Sequence, residues 1–205
     1  MPYFSPIFLF IFLFASKFLL LGQQGDKASE KDLISSLNWK KWSPDTVPVF
    51  TPEESLAQFK VAPGFKVELV AHEPMVKDPV FVDWDDEGRM WVGELRTYMM
   101  DLDGTNEGER MSRVMVLEDT DQDGVMDKST PFVDDMLNVR SLAFVDDGVL
   151  VVETGGLWLC KDKDGDLRCD ERIKLIDFAT AAQSNIEHAE NGLHYALDNW
   201  MYNSK

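Results

Sequence analysis

The sequence predicts an all-β chain, and three observations carry that expectation. After Gly64 the apolar residues alternate in short runs instead of recurring at helical spacing: FKVELVA, MWVGEL, RVMVLE, SLAFV, GVLVVE and LWLC. Asp/Gly turns separate these runs. The third observation is a repeat: Asp119, Asp121, Asp123 and Asp127 match Asp162, Asp164, Asp166 and Asp170, 43 residues further on. Upstream of each cluster stands a similar pair of strands, FVDWDDEGRMWVGE (81–94) and SLAFVDDGVLVVET (141–154), and a third copy begins at LHYALDNWMY (193–202). A unit of about 40–50 residues with four short strands and a recurring D-x-G-x-(L/M)-W-V turn is the signature of a β-propeller blade. Propellers close with four to eight blades. About three blades therefore predict an incomplete propeller, the N-terminal part of a six-bladed ring.

Taken in order, the chain starts with MPYFSPIFLFIFLFASKFLLLGQQ, nearly uninterrupted in apolar residues from Ile7 to Leu21. Lys17 splits that run, leaving a block shorter than the roughly 20 residues of a spanning helix. Residues 1–22 thus read as a signal peptide or N-terminal anchor, although no basic segment precedes them and no clean A-x-A site follows. Export to the periplasm or outer surface is the expectation, with possible membrane association through the N-terminus. Residues 23–50 are polar and irregular and read as a linker. TPEESLAQFK then predicts one short helix ending before Pro63-Gly64, with Thr51 as N-cap, Pro52 at the first position and Glu54 completing a capping box. The partial propeller domain spans 51–205. Its first repeat is lengthened by TYMMDLDGTNEGER (97–110), a loop expected to sit over a site. Trp91, Trp158 and Trp200 are expected at equivalent strand positions, as blade packing.

Composition excludes one function class. With 20 Lys+Arg against 37 Asp+Glu, the net charge is −17 and the pI about 4.4, so the surface repels phosphate backbones and nucleic acid is not an expected partner. The hydrophobic content of 44% argues for a packed core rather than a disordered acidic chain.

The aspartate clusters resemble EF-hand loops but lack essential parts. In the first, Thr130 stands where the bidentate glutamate belongs; in the second, Leu167 replaces the glycine and Ile173 occupies the twelfth position. Strand-like runs flank both. They read as blade hairpins, and their crowded carboxylates predict weak calcium sites, with solvated acidic turns as the competing reading. Cys160 and Cys169 bracket the second cluster. They read either as a disulfide, contributing roughly 2.5–3 kcal/mol on the chain-entropy model, or as two half-buried thiols. No second Cys pair or His stands at zinc spacing.

Four segments, TPEESLAQFKVAPGFKVELVAHEP, DEGRMWVGELRTY, VLEDTDQDGVMDKSTPFVD and NGLHYALDNWMY, resemble the bacterial membrane-bound dehydrogenase domain proteins. These are exported propellers often joined to a c-type haem domain, and distantly similar to PQQ-dependent glucose and sorbosone dehydrogenases. The resemblance covers 51–202. The sugar dehydrogenases carry H-x-G-G-x-L-x-x-G-P-D-x-x-x-Y, and here the segment reads HAENGLHYALDNWMY. His188, Leu193, Asp198 and Tyr202 fall in place, while Asn191 departs from the glycine pair and Ala196-Leu197 replace Gly-Pro. The resemblance implies that His188 takes the proton of a sugar or alcohol substrate, that Glu187 lies near a PQQ cofactor, and that electrons pass to a cytochrome c domain beyond Lys205. Arg96, just after MWVGE, is a candidate for an anionic cofactor or for pairing with a neighbouring acid. His72 and His194 read as structural. Two other classes compete with this reading: a non-catalytic, calcium-stabilised propeller that binds glycans or proteins, and a lactonase-like propeller hydrolase.

Overall fold

The computed structural model describes residues 49–101, 103–178 and 190–204. The leader at 1–22, most of the linker, and both His188 and Glu187 lie outside the described residues. Among those described, no helix is long and apolar enough to cross a membrane. The helix α1 (Pro52–Leu56) is capped as expected: Glu54 N donates to Thr51 Oγ1 at 3.2 Å and Thr51 N to Glu54 Oε2 at 2.9 Å. It stops well short of Pro63, because no α1 residue is buried and a five-residue helix has only its caps to hold it.

The fold is all-β. Strands β1 (Pro79–Trp84), β2 (Met90–Glu94), β3 (Ser112–Glu118) and β4 (Lys128–Met136) form one antiparallel sheet in sequential order. β5 (Val139–Val145), β6 (Gly148–Glu153), β7 (Gly156–Lys161) and β8 (Glu171–Asp177) form a second sheet of the same order. β9 (Asn191–Tyr195) and β10 (Met201–Ser204) open a third as a hairpin. The described sheets do not close into a ring, and the first two are four-strand meanders of the kind propellers repeat. β5 contacts β1, β2 and β3 of the first sheet and β9 of the third. The 97–110 segment is the connection from β2 to β3, which is a two-residue turn between β6 and β7.

FKVELVA is not a strand. Residues 65–71 run without a ladder partner, and Val70 offers its carbonyl to Met126 N at 2.8 Å instead. Alternation supplies an apolar face, but a strand also needs an edge to pair with. Val70 and Ala71 use their apolar side to cover Met90, Val92, Met115 and Leu117 on the outer face of the first sheet.

The main core fills the seam between the two sheets. Trp91, Val114, Val116, Phe132 and Met136 meet Val139, Leu142, Val149, Val151 and Cys160 there. Trp91 joins both sides edge-on, 4.7 Å from Phe132 and 5.3 Å from Phe144. Its indole N–H donates to Asp85 Oδ2 at 2.8 Å in the β1–β2 turn. Burial works against the Asp85 carboxylate, but the Trp91 and Arg89 hydrogen bonds outweigh it and hold its pKa below the usual aspartate range. The tryptophans are not equivalent, contrary to expectation: Trp91 is on β2, Trp158 on β7, and Trp200 is exposed before β10.

Gly148 closes the turn between β5 and β6 with φ +142°, and a Cβ there would stand 2.4 Å from the Cys160 carbonyl oxygen. Gly148→Ala is expected to cost about 1–3 kcal/mol through strained backbone and overpacking, read as a lower urea midpoint at unchanged m-value.

Candidate functional site

Two buried glutamates organise the rim where the first strands of the units begin. Glu94 ends β2 and Glu153 ends β6, both inside otherwise apolar strands. Glu94 accepts from Lys77 N at 2.8 Å and Arg113 Nε at 2.5 Å. Glu153 accepts from Leu137 N at 2.6 Å, Trp158 Nε1 at 2.8 Å and Arg110 Nη2 at 3.0 Å. Each carboxylate therefore ties the end of a second strand to the backbone just before the first strand of its own unit. At that approach Asp78 and Asn138 take positive φ, 48° and 50°, a conformation that Asn and Asp tolerate better than most residues. Thr97 Oγ1 donates to Asn138 Oδ1 at 3.3 Å, and Asn138 Nδ2 donates to the Glu107 carbonyl at 3.1 Å. The long β2–β3 loop is thus pinned over the start of β5, as its position over a rim requires.

Around this anchor lie the charged groups. Arg96 Nε is 3.8 Å from Glu94 Oε2, so Arg96 pairs with an acid of its own blade. Arg140, the second residue of β5, lies beside Tyr98 and the fully buried Glu190. Burial lowers the Arg140 guanidinium's pKa from its ordinary value, and Tyr98 and Glu190 oppose that shift. Sequence reasoning missed Arg140 and Glu190. The available signal was that Glu190 stands two residues after His188, where the resembled motif carries a glycine.

The remaining motif positions form a turn. Tyr202 donates its hydroxyl to Asp198 Oδ2 at 2.6 Å across the β9–β10 hairpin, which holds Asp198 below its usual range and raises Tyr202. Asp198 and Tyr202 staple the hairpin that follows His188. The other two histidines fit a structural role: His72 donates from Nδ1 to the Glu73 carbonyl, and His194 faces Tyr202 in the β9–β10 ladder.

Both aspartate loops are hairpins, β3 to β4 and β7 to β8, with no flanking helices. In the first, Asp119, Asp121 and Asp127 each bring a carboxylate oxygen within 4.8 Å of the others. In the second, the group is Asp162, Asp164 and Asp166. The fourth aspartate of each set does other work. Asp123 accepts from Val125 N at 2.8 Å, and Asp170 accepts from Lys163 N at 2.7 Å. The first aspartate of each triad also accepts from backbone N–H groups, Asp162 from Gly165 N and Leu167 N, and Asp119 from Asp123 N and Gly124 N.

Residues 51–205 match the family described as a domain of unknown function, DUF7133. The chain belongs to that family. No curated protein and no solved structure matches it.

Proposed function

We propose that this DUF7133 member is an exported propeller oxidoreductase that oxidises a sugar or alcohol with a PQQ-type quinone and passes electrons to a c-type haem domain. One observation supports the reading: Glu190, which the sequence places two residues after His188, is buried and interacts with Arg140 of β5. In sequence, the motif histidine stands two residues before Glu190, whose neighbour Arg140 is partly desolvated. Arg96 and Arg140 fit the carboxylates of an anionic quinone, since guanidinium groups pair with carboxylates in two-point fashion. The quinone, when bound, supplies the hydride acceptor. His188 takes the hydroxyl proton of the substrate as general base, and Glu94 and Glu153 keep the rim in register. The test is dye-linked oxidation of sugars and alcohols by the native gene product with and without added quinone and calcium, with a haem stain of the same band. Quinone-dependent turnover supports the reading; hydrolysis of a lactone without quinone would overturn it in favour of a hydrolase.

The two carboxylate triads are proposed calcium sites. Three oxygen donors within 4.8 Å of one another suit a hard cation, and the absent bidentate glutamate places affinity near 10⁻⁴–10⁻³ M. Calcium at about 10 mM should then stabilise each filled loop by about 1.4–2.7 kcal/mol. A melting scan should show a rise with calcium over an ionic-strength control, and Asp119→Asn and Asp162→Asn should each remove part of it. No difference from the control sinks the proposal. Calcium stabilisation without any turnover favours a propeller that binds glycans or proteins.

A further inference from the structure

Cys160 and Cys169 are both free thiols in this structure, one buried in the seam core and the other half-buried at the head of β8. The residues next to them are bonded, Asp170 N–H donating to the Lys161 carbonyl at 2.8 Å, and Cys169 packs against the core cluster that contains Cys160. Neither belongs to the rim, and neither has a part in the proposed oxidation. Cys169 is also held from outside its own sheet. Its backbone N–H donates to the Phe132 carbonyl of β4 at 2.7 Å, while its Sγ donates to the Glu171 carbonyl at 3.2 Å. Three residues along, Arg172 donates to the Asp134 carbonyl at 2.7 Å and the Asp135 carbonyl at 3.3 Å. The stretch around Cys169 is therefore fixed on the neighbouring blade, and Cys160 is fixed within β7 opposite Arg172 and Val149. Two thiols brought together by separate, rigid supports need little movement to bond.

We propose that Cys160 and Cys169 form a disulfide that closes the second acidic hairpin and locks the seam between the blades. The exposures assign the roles. Cys169 is the thiol within reach of an outside reagent, and Cys160 is the resolving partner that only Cys169 can reach. With a low-molecular-weight disulfide as oxidant, the Cys169 sulfur, its proton lost to solvent, attacks one sulfur and the reagent's S–S bond breaks, releasing one thiol. The Cys160 sulfur, also deprotonated, then attacks the Cys169 sulfur of the mixed disulfide and expels the second thiol. Two cysteine thiols are oxidised and one small disulfide is reduced to two thiols, so the exchange balances.

The test is peptide mapping of the full chain after treatment with oxidised glutathione, denaturation and alkylation without reductant. A linked peptide pair joining Cys160 to Cys169, released by reductant, is expected, with a melting temperature about 5–10 °C above the reduced protein. Cys160→Ala should instead retain glutathione on Cys169, and Cys169→Ala should leave Cys160 unmodified while folded. Full alkylation of both cysteines in the wild-type chain, or glutathione left unresolved on Cys169, would overturn the proposal. The wild-type map decides the matter even if either variant fails to fold.

Discussion

Glu153→Ala is expected to lower folding stability by about 3–5 kcal/mol, the range for removing one partner from a buried charged network. Glu153 is 3% exposed and serves three donors on three different segments. Removing it leaves the Leu137 amide and the Trp158 indole N–H without their acceptor, and withdraws the carboxylate facing Arg110. The Leu137 bond also fixes where β5 begins. Loss of register there reaches the seam core, because Val139 and Leu142 of β5 pack against the first sheet. Trp158→Phe removes a single donor and should cost about 1 kcal/mol. Chemical denaturation of both variants checks the ranking. A loss under about 1 kcal/mol for Glu153→Ala would show that Glu153 does not organise the rim.

The repeat was legible because it rests on polar turns. Four aspartates at matching spacing mark the same hairpin in both blades, and the added length between β2 and β3 follows from aligning them. The outer strands were harder to read. β4 contains Pro131 and the pair Asp134-Asp135, and β8 is largely exposed, so neither shows clean alternation. An edge strand needs only one neighbour and has weak demands on its side chains. FKVELVA errs in the other direction: its pattern is strand-like, yet among the described residues nothing pairs with it. The Arg140–Glu190 neighbourhood leaves no local trace, since its members stand fifty residues apart and meet only through the packing of β5 beside β9. Glu94 and Glu153 were visible, as a charged residue ending each buried second strand. Their significance depends on what they bind, which spacing does not reveal.

His188→Ala is expected to lower quinone-dependent turnover by about 10²–10⁴-fold, the usual contribution of a general base. A general base acts only in its unprotonated form, so wild-type kcat/KM should rise with pH as that form becomes populated. The variant should lose the rise as well as the rate. Arg140→Ala should behave differently: a residue that holds the anionic cofactor changes the quinone concentration needed for half-maximal activity more than the rate at saturation. The two variants thus separate proton removal from cofactor binding. If His188→Ala keeps both rate and pH profile while quinone still binds, the histidine is a loop residue and the base must be sought elsewhere on the rim. If neither quinone nor turnover is found in the wild-type protein, the oxidoreductase reading falls. The acidic hairpins and pinned loop would then describe a propeller built to bind.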